Sequence, residues 1–199
     1  ALSGYLENPG LVHYTAGKHV LRYLRGSSDY TLAYRHDVNG LILKGYADAD
    51  YAGHVDTRRS TSGYSFAIQG HSGCISWSSK LQTTVATSTA EAEINAATAA
   101  AQEAVHFQQL LEAVGYPQEL PSLLLVDNQA SIAMTQNPVQ QTKTKHFAIK
   151  LCYTRELVLS NIVRFVYVRT DENSADIFTK GLGKLKTLKF SGAILNGES

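Results

Sequence analysis

Cysteine is scarce in this 199-residue chain: Cys74 and Cys152 are the only two, and most of a domain separates them. That argues against a disulfide scaffold or a cysteine-built zinc site and fits a reducing, intracellular compartment. Net charge is scarce as well, +1 at pH 7 from 18 basic and 17 acidic residues, so any surface for a polyanion must be local. No apolar run approaches the length of a membrane span, and no signal peptide is visible. The chain opens on Ala1 with no Met, as expected of a piece of something longer. Apolar residues are plentiful at 44%, enough for one packed domain with a terminal extension.

Turn and cap signals divide the chain. Asn8, Pro9 and Gly26 bound a predicted helix over residues 8–26. Asn39-Gly40 predicts a hairpin between strands at 30–34 and 41–46, and further strands are expected at 64–68 and 74–78. Ser88 and Glu91 form a capping box for a long helix that Gly115 and Pro117 close. The apolar run 123–126 reads as a strand covered on both faces. Helices are expected at 129–136 and 147–159, a strand at 162–168 and a short helix at 174–180. The tail from Gly183, with Lys184, Lys186 and Lys189, carries no assignable pattern. Strands first, then alternating helix and strand, predicts a mixed sheet with antiparallel and parallel portions.

Acidic residues interrupt these apolar elements at Asp48 or Asp50, Glu91 or Glu93, Asp127 and Asp176. Carboxylates beside apolar segments are costly unless something pairs with them, and a shared pair of divalent cations is one such partner. Asp48 and Asp50 share a strand face, and local sequence does not separate them. Glu93 heads a helix stripe through Ala97, Ala100, Ala104, Phe107, Leu111 and Val114, all apolar. Glu91 instead heads Asn95, Thr98 and Gln102, a polar face, and its capping box already explains it. Glu93 is therefore the functional candidate of the two. Asp127 follows an apolar strand at the carboxyl end, where open α/β sheets place ligands, and Asn128 can cap the next helix in its stead. Asp176 lies in a first helical turn, where the helix dipole alone would account for it. The conjunction of four, able to converge on one sheet edge, is the pattern expected of a two-metal nuclease.

Seven blocks, in order, resemble the ribonuclease H domain of copia-type LTR retrotransposon polyproteins. They are residues 46–53, 58–64, 75–80, 88–93, Asp127-Asn128-Gln129, Thr144-Lys145-His146 and Ala175-Asp176-Ile177-Phe178-Thr179-Lys180. Residues 1–30 resemble the end of the preceding reverse transcriptase or connection region, the domain proper spans 31–182, and 183–199 is a C-terminal tail. The resemblance implies a ribonuclease H-like α/β fold, a five-stranded mixed sheet flanked by helices. It implies an Asp-Glu-Asp-Asp metal site at Asp48, Glu93, Asp127 and Asp176, and so prefers Asp48 to Asp50. Many such enzymes carry a His in the loop before the last Asp, whereas residues 169–175 contain none; Ala148 and Gly181 also depart from the pattern.

The implied activity is hydrolysis of the RNA strand of RNA–DNA hybrids during reverse transcription, with two Mg²⁺ ions and Mn²⁺ as substitute. In it Asp48 would bridge both ions, with Glu93 and Asp127 on one and Asp176 on the other. Expected hybrid contacts are Arg58, Arg59, Ser60, Thr61, Asn128, Gln129, Lys143, Lys145 and His146, reading minor-groove shape and 2′-hydroxyls. Trp77 is expected to pack rather than stack on bases. The expected partners are the hybrid and the reverse transcriptase domain of the same polyprotein, with no membrane. The expected compartment is the cytoplasm, inside virus-like particles or as a freed protein, with the nucleus left open. The competing expectation is a retrotransposon remnant kept as a nucleic-acid-binding or protein-interaction module without turnover.

Overall fold

A computed structural model describes residues 2–34, 41–68, 73–118, 121–136 and 145–196. It separates into two units, Ala1–Thr31 and Leu32–Ser199. In the first, helix α1 (Leu11–Gly26) begins two residues later than Asn8 and Pro9 suggested, and Gly10 is its N-cap. The Gly10 amide donates to His13 Nδ1 at 3.0 Å, a partner that Asn8 was expected to supply. No residue of α1 is buried; Leu11, Val12, Leu21 and Leu24 are all exposed.

The second unit is built on one sheet. Its strands are β1 (Leu43–Asp50), β2 (Thr61–Ile68), β3 (Cys74–Leu81), β4 (Ser122–Val126) and β5 (Val163–Tyr167). Their order is β3-β2-β1-β4-β5. The pairs β1–β2 and β2–β3 are antiparallel, while β1–β4 and β4–β5 are parallel. The mixed sheet is therefore as expected, and β1 lies at its centre, buried along nearly its whole length.

The strand expected at 30–34 does not form. Residues 31–34 are irregular, and the Ala33 amide donates to Leu195 O while Ala33 O accepts from the Gly73 amide. The sheet has no place for a strand there, because β2 and β4 occupy both sides of β1. Asn39-Gly40 lies outside the described residues.

Helix α2 (Thr89–Ala113) packs on β1, β2 and β4 with a face of alanines: Ala97, Ala100, Ala101 and Ala104 share the core with Leu43, Ala47, Phe66, Leu124 and Val126. Small side chains let the helix axis approach the sheet closely. Ser88 caps α2, its hydroxyl accepting from the Glu91 amide at 3.1 Å, and Gly115 at φ +88° ends it. Helix α3 (Gln129–Gln136) is capped by Asn128, whose Oδ1 accepts from the Ser131 amide at 2.9 Å. Helix α4 (Lys145–Leu159) packs on α2, α3 and β5. A 3₁₀ helix, Ser174–Phe178, replaces the longer helix expected there. The tail that carried no pattern is helix α5 (Lys184–Asn196), held by buried Phe190 and Ser191.

Candidate metal centre and nucleic-acid interface

Three elements bring their acids together. Asp48 lies inside β1 rather than at its end, Asp127 follows β4, and Asp176 belongs to the 3₁₀ helix. One carboxylate oxygen from each lies within 4.8 Å of the other two. Asp48 and Asp176 are each 1% exposed and Asp127 is half-buried. Local sequence explains why each points there. In β1, Asp48 faces away from the core side chain of Ala47. Asp127 is free to serve because Asn128 takes the capping role. The 3₁₀ helix is anchored by fully buried Asn173, which donates from Nδ2 to Ala47 O at 2.9 Å and accepts from the Ala175 amide.

Close approach of that helix depends on Gly63, which pairs with Asp48 across the β1–β2 ladder. A Cβ at Gly63 would lie 2.7 Å from Thr179 Cγ2 and 2.9 Å from Phe178 Cβ. With no side chain there, Thr179 Oγ1 donates to Asp48 Oδ2 in a short hydrogen bond. Lys180 Nζ then lies 2.9 Å from Asp176 Oδ1 and 3.4 Å from Asp48 Oδ2, and Lys186 Nζ is 3.9 Å from Asp176 Oδ2.

Glu93, at the head of α2, is 6% exposed and outside the three-acid cluster, yet is coupled to it electrically. Burial first, then the charges of Asp48, Asp127 and Asp176, pushes its carboxyl up to about 9 against the pull of Lys180. Burial likewise raises Asp48, opposed by Thr179 and Lys180. Burial favours deprotonation of Lys180, but Asp48, Asp176 and Asp127 outweigh it and hold the ammonium charged. Asp176 Oδ1 is fully buried and faces the Lys180 ammonium at 2.9 Å. Lys180 and Lys186 face Asp48 and Asp176, and neither is within ion-pair distance of Asp127 among the described residues. An oxygen-only donor set of three carboxylates converging within 4.8 Å suits a hard divalent cation.

The helix face that carries Glu91 is not the solvated polar face its sequence suggested. Glu91, Asn95 and Thr98 are buried like Glu93, because the first half of α2 is enclosed on all sides. Hydrogen bonding separates the two acids instead. Glu91 Oε2 accepts from Thr87 N at 2.7 Å and Thr87 Oγ1 at 2.6 Å, whereas Glu93 has no such partner among the described residues.

The expected substrate contacts fall into three groups. Arg58, Gln129, Lys145 and His146 are exposed, and Arg59, Thr61 and Asn128 are half-buried. Ser60 is fully buried and accepts from the Ala52 amide at 3.1 Å, so its hydroxyl braces the loop and does not face solvent. Lys143 lies outside the described residues. Trp77 is 53% exposed, contrary to a packing role. Sequence reasoning did not single out Thr179, Lys180, Asn173 or Gly63; for Lys180 the signal was present, a Lys four residues after an Asp.

No protein-family model matches the chain. It is 40% identical over 179 residues to the retrovirus-related Pol polyprotein from transposon TNT 1-94 of Nicotiana tabacum, covering 90% of this chain. It is 36% identical over 193 residues to that from transposon RE2 of Arabidopsis thaliana, covering 97%. The chain spans 13% of the length of each. By structure it resembles LC11-RNase H1 isolated from compost, at TM-score 0.52 and 16% identity over 69% of this chain and 92% of that one. It also resembles the foamy viral protease-reverse transcriptase, solved with an RNA/DNA hybrid, at TM-score 0.51 and 14% identity over 74% of this chain and 20% of that one. These likenesses establish the ribonuclease H-like fold, and the sequence relatives over most of this chain are copia-type retrotransposon Pol polyproteins.

Proposed function

We propose that this chain hydrolyses the RNA strand of RNA–DNA hybrids during reverse transcription, using two divalent cations held by Asp48, Glu93, Asp127 and Asp176. The observation that carries this reading is the meeting of three carboxylates from β1, the end of β4 and the 3₁₀ helix within 4.8 Å. Mg²⁺, or Mn²⁺ in its place, would supply activation of the attacking water and stabilisation of the leaving 3′ oxygen. The chain's own residues prepare for this. Thr179 orients Asp48, Asn173 fixes the 3₁₀ helix to β1, and Lys180 neutralises part of the cluster. Glu93 must give up its proton to serve as a ligand, so cation uptake would be linked to proton release. Arg58, Lys145 and His146, all exposed, are available to the hybrid backbone.

In this reading residues 1–30 are the end of the reverse transcriptase region, and the protein acts in the cytoplasm. A second reading, a remnant that binds nucleic acid or protein without turnover, draws support from Lys180, which already bridges Asp48 and Asp176. A labelled-hybrid assay separates the two. Metal-dependent cleavage by the native chain, lost in Asp48→Asn and Glu93→Gln, is the expected outcome. Hybrid binding without cleavage in Mg²⁺ or Mn²⁺ favours the remnant.

A further inference from the structure

A second polar region lies between α2, α4 and the β2–β3 side of the sheet. It is a cavity of about 430 Å³, whose lining includes Lys150, Lys80, Glu103, Gln82 and Asn95. Behind it runs a chain of hydrogen bonds. Lys150 Nζ donates to Asn95 Oδ1 at 2.8 Å, and Asn95 Nδ2 donates to Gln82 Oε1 at 3.0 Å. Gln82 Nε2 in turn donates to Ser62 Oγ at 2.8 Å and to Ala92 O at 3.0 Å. Gln82 and Asn95 are buried. Ala92 and Asn95 flank Glu93, so the chain ends on the turn of α2 that carries it.

Helix bracing alone does not account for Lys150. The α2–α4 contact already has a buried polar clamp, Thr98 Oγ1 to Thr154 Oγ1 at 2.9 Å, one turn along from Asn95 and Lys150. An ammonium has three donors, and Asn95 takes one. Burial lowers the Lys150 ammonium from its ordinary value, and the Glu91 charge offsets part of that. Glu103, the acid lining the cavity, is already engaged by Ser76 Oγ at 2.5 Å. Lys150 and Lys80 line this polar cavity together with Glu103, and the Lys150 donors that Asn95 does not take are available to an anion.

We propose that Lys150, anchored by Asn95 at this cavity, contacts a backbone phosphate of the bound duplex, and that the Asn95–Gln82 chain holds the Glu93 turn in register with that contact. This rests on the hybrid-cleavage reading and adds a positioning residue to it. The test uses the full chain and a fluorescent RNA–DNA hybrid in EDTA, with anisotropy followed across a salt series. Lys150→Gln, which can still donate to Asn95 but lacks the charge, should weaken binding about threefold to tenfold and flatten the log K against log salt slope by roughly one. Lys150→Arg should restore both. In Mg²⁺ the Gln variant should raise KM with kcat little changed. An unchanged affinity and salt slope in Lys150→Gln overturns the proposal, as does a native chain that does not bind the hybrid. Should Lys150→Gln not fold, Lys80→Gln tests the same cavity, with the same slope change expected and an unchanged slope overturning. A native chain that binds in this Lys150-dependent way yet never cleaves leaves the contact standing and removes the cleavage reading alone.

Discussion

Two groups of buried polar side chains lie within a few residues of one another, and they are built on opposite principles. The Gln82–Asn95–Thr98–Thr154 group is satisfied: Gln82 donates twice and accepts once, Asn95 donates and accepts, and the two threonines bond each other. The Asp48–Glu93–Asp127–Asp176 group is not. One of its acids is pushed up to about 9, and carboxylates of three others meet within 4.8 Å with lysine ammonium groups as their counter-charge. A satisfied network stabilises the fold, whereas an unsatisfied one persists because something outside the chain completes it. The contrast points to cations.

Activity offers the largest break in that contrast. Asp48→Asn should lower hybrid cleavage by at least about 10²-fold, read as turnover of labelled hybrid, while thermal denaturation without metal shows a fold at least as stable as the native one. Loss of cleavage through unfolding would place Asp48 with the structural group instead. Next comes Gly63→Ala, whose methyl would meet Thr179 and Phe178. It should push the 3₁₀ helix away from β1 and cost about 1–3 kcal/mol in urea unfolding as well as most activity. A neutral result would show that Thr179 is not held against Asp48.

The satisfied group should answer differently. Asn95→Ala leaves Gln82 Oε1 without its donor and should cost about 1–3 kcal/mol in metal-free urea unfolding. A neutral result would show that this network does not stabilise the fold. A further effect concerns pH. Glu93 has a folded-state value raised to about 9 from an ordinary 4.5, so the folded state binds the extra proton. Its contribution is complete below the ordinary value and is lost as pH rises towards about 9. Metal-free stability should therefore decline between pH 5 and 9, and Glu93→Gln should flatten that decline in thermal melts. An unaltered slope in the variant would disconnect Glu93 from the acids around it.

The sequence made the periodic elements legible and hid the long-range ones. Helix α2, its Ser88 cap and the apolar β4 announce themselves locally. The expected strand at 30–34 failed because strand pairing is decided by competition for the edges of β1, which β2 and β4 win. Helix α5 escaped notice because only Phe190 and Ser191 of its 13 residues are buried, and Leu185 and Leu188 are exposed. At the site, periodicity preferred Glu93 for a partly mistaken reason, since the Glu91 face is buried too. Asp48 against Asp50 stayed open until a resemblance chose, because the deciding contact, Thr179 to Asp48, spans 131 positions.

The claim at the centre is that the three-acid cluster with Glu93 holds divalent cations. Crystals soaked in Mn²⁺, read by anomalous scattering, test it most directly. The prediction is manganese among the oxygens of Asp48, Asp127 and Asp176, with Lys180 displaced from Asp48, and no manganese there in Asp48→Asn. Lys180 still bridging Asp48 and Asp176 at high Mn²⁺, with no anomalous peak between the carboxylates, would contradict it.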